Sequence, residues 1–283
     1  MITVLESYQC SKTGNKADME DVTVVTEVFA AVIDGATNVS GRMIDGSTPG
    51  QHASRLVVET IQSLTGHEVI HEIIQLINRR FISFYKQHNM LEDVQKHPYL
   101  QLSATMVLYS HYYRRVWAIG DAQCLISGRY FQNQKIVDQI TADARALLVE
   151  AELAKGRSLG DIQEDDRSFE LIKPLIQSQY QFQNGHPDDP YSYSVINGFH
   201  IHKTSIVELV VQGNPIRLIL ASDGYPKLKE TLEETEAFLT KCIQEDPLCI
   251  RTNKNVKGVT NGRLSYDDRS YLSLLVGAQQ KGG

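Results

Sequence analysis

Apolar stretches of this sequence end in a carboxylate beside a glycine at three separate places. A buried strand that ends in an acid can bring that acid to the rim of a sheet, close to others. Buried carboxylates repel one another unless a cation lies between them, and sites made only of oxygen suit Mg²⁺ or Mn²⁺ better than Zn²⁺. Two such ions can generate a hydroxide near neutral pH and hold a phosphoryl group for in-line attack. The acids concerned are Asp34 in FAAVIDG, Asp121 in VWAIGD, Asp223 in RLILASDG and the pairs Glu20-Asp21 and Asp267-Asp268.

Each Asp-Gly pair also has a simpler interpretation as a turn, because both residues tolerate a positive φ. We assign Asp45-Gly46 to a turn alone. Spacing along the chain does not bring positions 20, 34, 121, 223 and 267 together. The other acids therefore form one site only if the fold gathers them.

Strands and helices must position these acids, and both patterns occur along the chain. Apolar residues three and four apart indicate helices, and β-branched or aromatic runs between tight turns indicate strands. Many strands joined by tight turns, with helices grouped between them, indicate antiparallel sheets covered by helices. The predicted helices cover 49–66, 70–84, 142–153 and 232–244. The predicted strands cover 22–33, 104–110, 114–121, 123–131, hairpins at Asn197-Gly198 and at 212–215, and then 216–224 and 271–276.

Length and composition suit one domain and exclude several functions. The 283 residues carry a net charge of −6 and no Lys/Arg cluster, which argues against nucleic acid as a partner. No apolar run approaches the ~18 residues of a membrane helix, no signal peptide is recognisable, and four dispersed cysteines indicate reduced thiols. We expect a cytoplasmic domain over 1–283, with an insertion or flap at about 156–190, where the chain is polar and weakly patterned.

Six blocks of the sequence, taken in order, carry a family resemblance from Lys16 to Val276. They are KADMED (16–21), AAVIDG (30–35), SATMVL (103–108), WAIGDA (117–122), LILASDG (218–224) and DDRSYLSLLV (267–276). Together they resemble the motif series of metal-dependent Ser/Thr protein phosphatases of the 2C type, in a bacterial-like form. The family implies an α+β fold, a four-layer αββα sandwich of two antiparallel β-sheets flanked by helix pairs.

The resemblance also implies an activity and a metal centre. The activity is hydrolysis of phosphoserine or phosphothreonine on proteins, with two Mn²⁺ or Mg²⁺ ions and, in bacterial members, a third and weaker one. A hydroxide that bridges two ions would attack phosphorus directly, so no Ser or Cys nucleophile is needed. Asp34 would bridge the ions, and Lys16 would bind the substrate phosphate. Carried over by position, the metal site would comprise Glu20, Asp21, Asp34, the Gly35 carbonyl, Asp121, Asp223 and Asp267.

The chain departs from the family pattern at three positions. Lys16 stands where many members have an Arg, so a point charge replaces a bidentate fork. Ala36 stands where eukaryotic members have a His proposed as the general acid, which leaves the proton donor to water or to His52. Asp268 replaces the more usual Asn after the metal-binding acid. A second hypothesis follows, a catalytically weak member that acts as a metal- or phosphate-binding regulatory module.

A competing motif is His67-Glu68-Val69-Ile70-His71, which matches the HExxH signature of zinc metallopeptidases. In that signature two His one turn apart bind Zn²⁺ and the Glu activates water. Here the motif opens a helix whose apolar stripe lies on the opposite face from His71, so we rank the peptidase hypothesis as remote.

Overall fold

The computed structural model describes residues 1–277, and these form two antiparallel sheets with helices outside them. Sheet A, in spatial order, contains β1 (Ile2–Cys10), β10 (Arg269–Val276), β9 (Ile216–Ala221), β6 (Gln123–Ile126) and β7 (Arg129–Gln132). Sheet B contains β2 (Val22–Val25), β3 (Phe29–Gly35), β4 (Ala104–Ser110), β5 (Arg115–Ile119) and β8 (Val207–Val210). Every strand pair in both sheets is antiparallel, which confirms the predicted α+β sandwich.

The helices of the described chain lie in three places, and one pair covers sheet B. They are α1 (Pro49–Gln62), α2 (Ile70–Gln87), α3 (Leu91–Lys96), α4 (Ile136–Ala154), α5 (Leu159–Glu164), α6 (Ser168–Gln179) and α7 (Leu232–Glu245). Val57 of α1 and Ile77 of α2 pack on Ile33 and Met106 of sheet B. Because α1 and α2 bury one apolar face each, they form an outer layer of the sandwich.

A second apolar layer lies between the sheets. Val32 and Val107 of sheet B meet Leu220 and Leu272 of sheet A, and all four side chains are fully or almost fully buried. These strands carry apolar residues on both faces, as is typical of strands covered on both sides. This explains why they appear in the sequence as continuous apolar runs.

The outer face of sheet A is covered differently. Leu239 of α7 and Tyr266 of the 246–266 segment pack on Ala221 and Tyr271. Helices α4 and α6 pack mainly on each other. Among residues 1–277, no helix is long and apolar enough to cross a membrane.

The start of α1 follows from local sequence. Thr48 is the N-cap: its hydroxyl accepts a hydrogen bond from the Gln51 amide, and the Gln51 side chain accepts one from the Thr48 amide. Pro49 occupies the first helical position, where its missing N–H has no cost. The predicted helix start is therefore confirmed, although α1 ends at Gln62, before Gly66.

Three segments differ from their predictions. The predicted hairpin at 212–215 is a connection between the sheets, because β8 belongs to sheet B and β9 to sheet A. The 191–202 segment forms no hairpin; it forms two isolated bridges, Ile196 with Ala104 and Tyr193 with Gln183, because buried Asn197 bonds to side chains instead of turning two strands. The Asn197 amide donates to Gln101 and Gln183 at 2.9 and 3.2 Å. The predicted flap at about 156–190 contains α5 and α6; α5 is only six residues long, and α6 has Pro174 in its interior, which argues against a helix in the sequence. Asp45-Gly46 is the turn we expected, with φ of 45° and 79°.

Candidate active site

Strands of both sheets deliver acids to one place. Asp34 lies at the end of β3, and Asp121 follows β5 by one turn at Gly120. Asp223 follows β9, and Asp267 precedes β10. These four carboxylates line one cleft of about 870 Å³, together with residues of α4, α6 and the 251–257 segment. The topology therefore gathers the strand-end acids that the sequence predicted.

Glycines beside these acids differ in kind from the glycine of a simple turn. Gly35 and Gly224 do not have the positive φ that Gly46 has. A Cβ at Gly35 would collide with the carbonyl oxygen of Gly50, and a Cβ at Gly224 with that of Asp268. Close approach of two backbones, not turn geometry, requires glycine here.

The inner acids are Asp21, Asp34 and Asp223, and their like charges repel one another. Asp34 and Asp223 share a hydrogen bond, which needs a proton on one of them. Burial, and then the charge of Asp21, raises the pKa of Asp34 well above its usual value. Burial, and then Asp34, does the same to the pKa of Asp223. These groups therefore carry unfavourable charge in the chain alone.

Asp21 supplies an unpartnered oxygen to this group. Its side chain is 3% exposed, and its Oδ2 has no hydrogen-bond partner among the described residues. Burial raises the pKa of Asp21 to about 8, and the acids at 268, 267 and 223 add to that effect. A buried carboxylate oxygen without a donor is costly unless a cation or a proton reaches it.

The outer acids are Glu20, Asp267 and Asp268, and lysines lie beside them, although burial still outweighs Lys12 and raises the pKa of Glu20. Lys12 Nζ lies 3.3 Å from Glu20, 3.3 Å from Asp267 and 3.6 Å from Asp268. Lys257 Nζ lies 2.9 Å from the second oxygen of Asp267. Burial raises the pKa of Asp267, but Lys257 and then Lys12 outweigh burial and hold that pKa well below its usual range. Asp267 is therefore firmly ionised.

A third lysine compensates the acid from β5. Lys135 Nζ lies 2.8 Å from Asp121 and 3.1 Å from Asp138. Burial lowers the pKa of Lys135, but Asp121 and then Asp138 outweigh burial and raise it well above its usual value. Lys135 is therefore charged at the wall of the cleft.

The predicted site residues divide into those that meet and one that does not. The structure brings Glu20, Asp21, Asp34, Gly35, Asp121, Asp223 and Asp267 to one region. Lys16 lies on an exposed single helical turn, and within residues 1–277 it forms no ion pair. No local pattern marks Lys12, Lys135 or Lys257, since a lysine far along the chain from its acid looks like any surface lysine.

The donor chemistry of the inner acids fits a divalent cation. All donors are carboxylate oxygens, which Mg²⁺ and Mn²⁺ prefer, and Asp21 Oδ2 is buried without a partner. Among the residues that the structure describes, no three His, Cys, Asp or Glu side chains form a ready-made metal-binding group. A cation would therefore have to draw the inner oxygens together on binding.

The HExxH motif lacks the geometry of a zinc site. Helix α2 begins only at Ile70, so His67 lies outside it, and both His67 and His71 are exposed. The Glu68 carboxylate accepts hydrogen bonds from the amides of Thr65 and Gly66 at 2.9 and 2.8 Å. Glu68 of the motif therefore stabilises the loop that leads into α2.

His52 makes its hydrogen bonds outside the cleft. Its Nε2 lies 2.7 Å from the carbonyl oxygen of Ile44, and its Nδ1 lies 2.7 Å from the Arg55 guanidinium. The ring is 2% exposed. His52 joins α1 to the turn before it and is not placed to donate a proton in the cleft.

Comparison with known proteins gives similarity at the level of structure only. No protein-family model matches the chain, and no curated protein sequence matches it. The serine/threonine phosphatase Stp1 from Staphylococcus aureus is 13% identical, with a TM-score of 0.49 over 97% of this chain and 95% of that one. The Ser-Thr phosphatase MsPP from Mycobacterium smegmatis, solved with cacodylate, is 17% identical, with a TM-score of 0.47 over 97% and 100%. The Mycobacterium tuberculosis serine/threonine phosphatase PstP/Ppp is 15% identical, with a TM-score of 0.44 over 98% of each chain.

Proposed function

We propose that this chain is a metal-dependent phosphatase that hydrolyses phosphoserine or phosphothreonine on proteins. One observation carries the proposal: strand-end carboxylates line a single cleft, and beside them lies a buried Asp21 oxygen that has no hydrogen-bond partner among residues 1–277. Uncompensated oxygen donors in a cleft of this size suit a divalent cation and a ligand. The six motif blocks, which resemble phosphatases of the 2C type, support the choice of a phosphate ester as that ligand.

The residues would have separate roles. Asp21, Asp34, Asp121 and Asp223 would hold Mn²⁺ or Mg²⁺. Bound in a pair, such ions supply a hydroxide nucleophile at neutral pH and neutralise charge on a phosphoryl group. The expectation of two ions, with a third and weaker one, stays a prediction, as does the Gly35 carbonyl as a ligand.

The cleft wall supplies charge for the substrate. Lys135 and Lys257 line the cleft with their ammonium groups near the acids, and Lys254 and Arg251 line it further out. These cations would attract a phosphate dianion that the carboxylates alone would repel. A volume of about 870 Å³ exceeds that of a phosphoserine side chain, which leaves room for neighbouring peptide residues. A phosphorylated protein in the cytoplasm is therefore the partner we propose.

The test is hydrolysis of a small aryl phosphate and of a phosphothreonine peptide with Mn²⁺. Asp34→Asn should lower kcat/KM by about 1000-fold or more, because it removes a charged oxygen from the metal site. Asp45→Asn is the matched control, since Asp45 precedes a glycine in the same way but lies in an exposed turn; its activity should equal that of the wild type. Full activity of Asp34→Asn would refute the metal assignment.

A second candidate function has its own supporting observation. Three lysines already neutralise acids of the site, and the predicted phosphate-binding Lys16 lies exposed outside it. A catalytically weak family member that binds metal or phosphate would tolerate this arrangement. Mn²⁺ binding without turnover of either substrate would favour this regulatory module over the enzyme.

A further inference from the structure

Every carboxylate oxygen of the outer acids already accepts a hydrogen bond from the protein. Glu20 accepts a hydrogen bond from the Thr48 hydroxyl at 2.6 Å through Oε1 and one from Lys12 at 3.3 Å through Oε2. Asp268 accepts from the backbone amides of Lys12 and Glu20 at 2.9 and 2.8 Å, one through each oxygen. Both carboxylates therefore have protein donors on both oxygens.

Asp267 is occupied in the same way. Its Oδ1 accepts from Lys12 at 3.3 Å and from the Asp268 amide at 3.0 Å. Its Oδ2 accepts from Lys257 at 2.9 Å. The family resemblance makes Asp267 a metal ligand, but in this chain a metal ion would have to displace two ammonium groups from it.

Lys12 is held in place as a fixed cation. Its backbone amide donates to Asp268, and its carbonyl oxygen accepts from the Leu264 amide at 2.8 Å. Its side chain is 12% exposed and meets three carboxylates at one nitrogen. An ammonium group among three carboxylates neutralises charge in the place where a metal ion would otherwise do so.

The inner acids contrast with this arrangement. Asp21 Oδ2 has no partner in the described chain, and Asp34 bonds to another carboxyl group, that of Asp223. Lys12 and Lys257 thus serve one side of the acid cluster and leave the other without a cation.

We propose that Lys12 and Lys257 take the place of one divalent ion, so that the chain binds a single ion, at Asp21, Asp34 and Asp223, while Asp121 keeps its pair with Lys135. This inference rests on the proposed function, because it assumes that the cleft binds Mn²⁺ or Mg²⁺ at all. It assigns Asp267 to lysine pairing instead of metal binding.

The experiment counts metal ions on the full chain. Protein is dialysed to equilibrium against Mn²⁺ at neutral pH, and bound manganese is measured by mass spectrometry for each variant. We expect one Mn²⁺ per wild-type chain and two per Lys12→Met chain, since this substitution frees oxygens of Glu20 and Asp267. Lys155→Met is the control, because Lys155 is 71% exposed and pairs only with residues of its own helix end; it should bind one ion.

Thermal unfolding gives a second readout that does not depend on activity. Without metal, Lys12→Met leaves Glu20 and Asp268 without an ion pair and Asp267 with Lys257 alone, which should lower Tm by about 5 °C or more. Mn²⁺ should raise the Tm of Lys12→Met by more than it raises that of the wild type. Lys257→Gln, which frees one oxygen of Asp267, provides the same comparison if Lys12→Met does not fold.

The outcomes separate this inference from the proposed function. Two ions on the wild-type chain, or an unchanged count in both lysine variants, would overturn the lysine replacement and leave the phosphatase intact. A wild-type chain that binds no Mn²⁺ overturns both. One ion on the wild type with a gain in either variant supports the inference, whether or not the loaded protein turns over substrate.

Discussion

The inner and outer acids lie side by side at the ends of the same sheets, yet they have opposite electrostatic surroundings. Asp267 has two ammonium groups, and its pKa lies below the usual range. Asp34 has another acid as its neighbour, and its pKa lies well above the usual range. The difference shows that acid residues alone do not define a metal site; the protein cations that pair with some of them also decide which oxygens are free for a metal ion.

The largest effect should come from a buried ion pair of the same compensated kind, Arg145 with Asp166. Arg145 is fully buried and donates to Asp166 at 2.7 Å and to the carbonyl oxygens of Leu248 and Asn255 at 2.7 and 3.1 Å. Arg145→Met leaves Asp166 buried without its cation, which should lower the free energy of unfolding by about 3–5 kcal/mol. Urea denaturation measures this change.

The control for Arg145 is Arg251, which pairs with Glu150 of the same helix, α4, but at the surface. Arg251→Met should cost about 0–1 kcal/mol, because water already solvates both charges. Equal losses in the two variants would show that burial does not determine how much an ion-paired arginine stabilises this protein.

A smaller loss is expected within the outer acids, at Asp268. Asp268→Asn keeps the shape but replaces one charged acceptor of the backbone amides at 12 and 20 by an NH₂ group that cannot accept. The free energy of unfolding should fall by about 2 kcal/mol. The exposed Asp188, at 92%, provides the control Asp188→Asn, which should change nothing measurable. An Asp268→Asn chain as stable as the wild type would mean that the outer acids do not stabilise the fold.

An inner acid should behave in the opposite way. The pKa of Asp21 rises from 3.8 to about 8 on folding, so the folded chain favours its protonated form. Below pH ~4 there is no penalty, and the metal-free chain loses stability as pH rises from ~4 to ~8. Asp21→Asn removes this loss, so its Tm at pH ~8 should exceed that of the metal-free wild type. A gain of about 1 kcal/mol in the free energy of unfolding would raise Tm by a few degrees.

The matched comparison for Asp21→Asn is Asp268→Asn under the same metal-free conditions. One substitution should stabilise and the other destabilise, although both replace a buried carboxylate by an amide. If Asp21→Asn also destabilises at pH ~8, Asp21 is compensated by a group that its contacts do not reveal, and the distinction between inner and outer acids fails at that residue.

The sequence predicted the parts of this arrangement that are encoded locally. β4 was predicted at its observed bounds, and β9 at its observed start, because strands buried on both faces appear as continuous apolar runs. The start of α1 was predicted from Thr48 and Pro49. The acids were found because each one ends or precedes such a strand.

The rest depends on contacts between distant positions, which carry no local signal. Lys12 meets Asp267 across 255 positions, and Asn197 meets Gln101 across 96. A lysine or an asparagine is usually a surface residue, so only the fold reveals that these two are buried partners. The division between inner and outer acids could not be inferred for the same reason, since it is set by the lysines.

The smallest effect should come from Lys16, the one predicted site residue that lies outside the cluster. It is exposed and forms no ion pair within residues 1–277, so Lys16→Met should leave stability unchanged and raise KM for an aryl phosphate by about threefold or less. Lys257→Met, which changes a buried lysine that lines the cleft, should raise KM more. Steady-state kinetics at fixed Mn²⁺ compares the two variants. A tenfold or larger rise in KM for Lys16→Met, with Lys257→Met unaffected, would restore Lys16 as the phosphate-binding group and would require its exposed turn to close over the substrate.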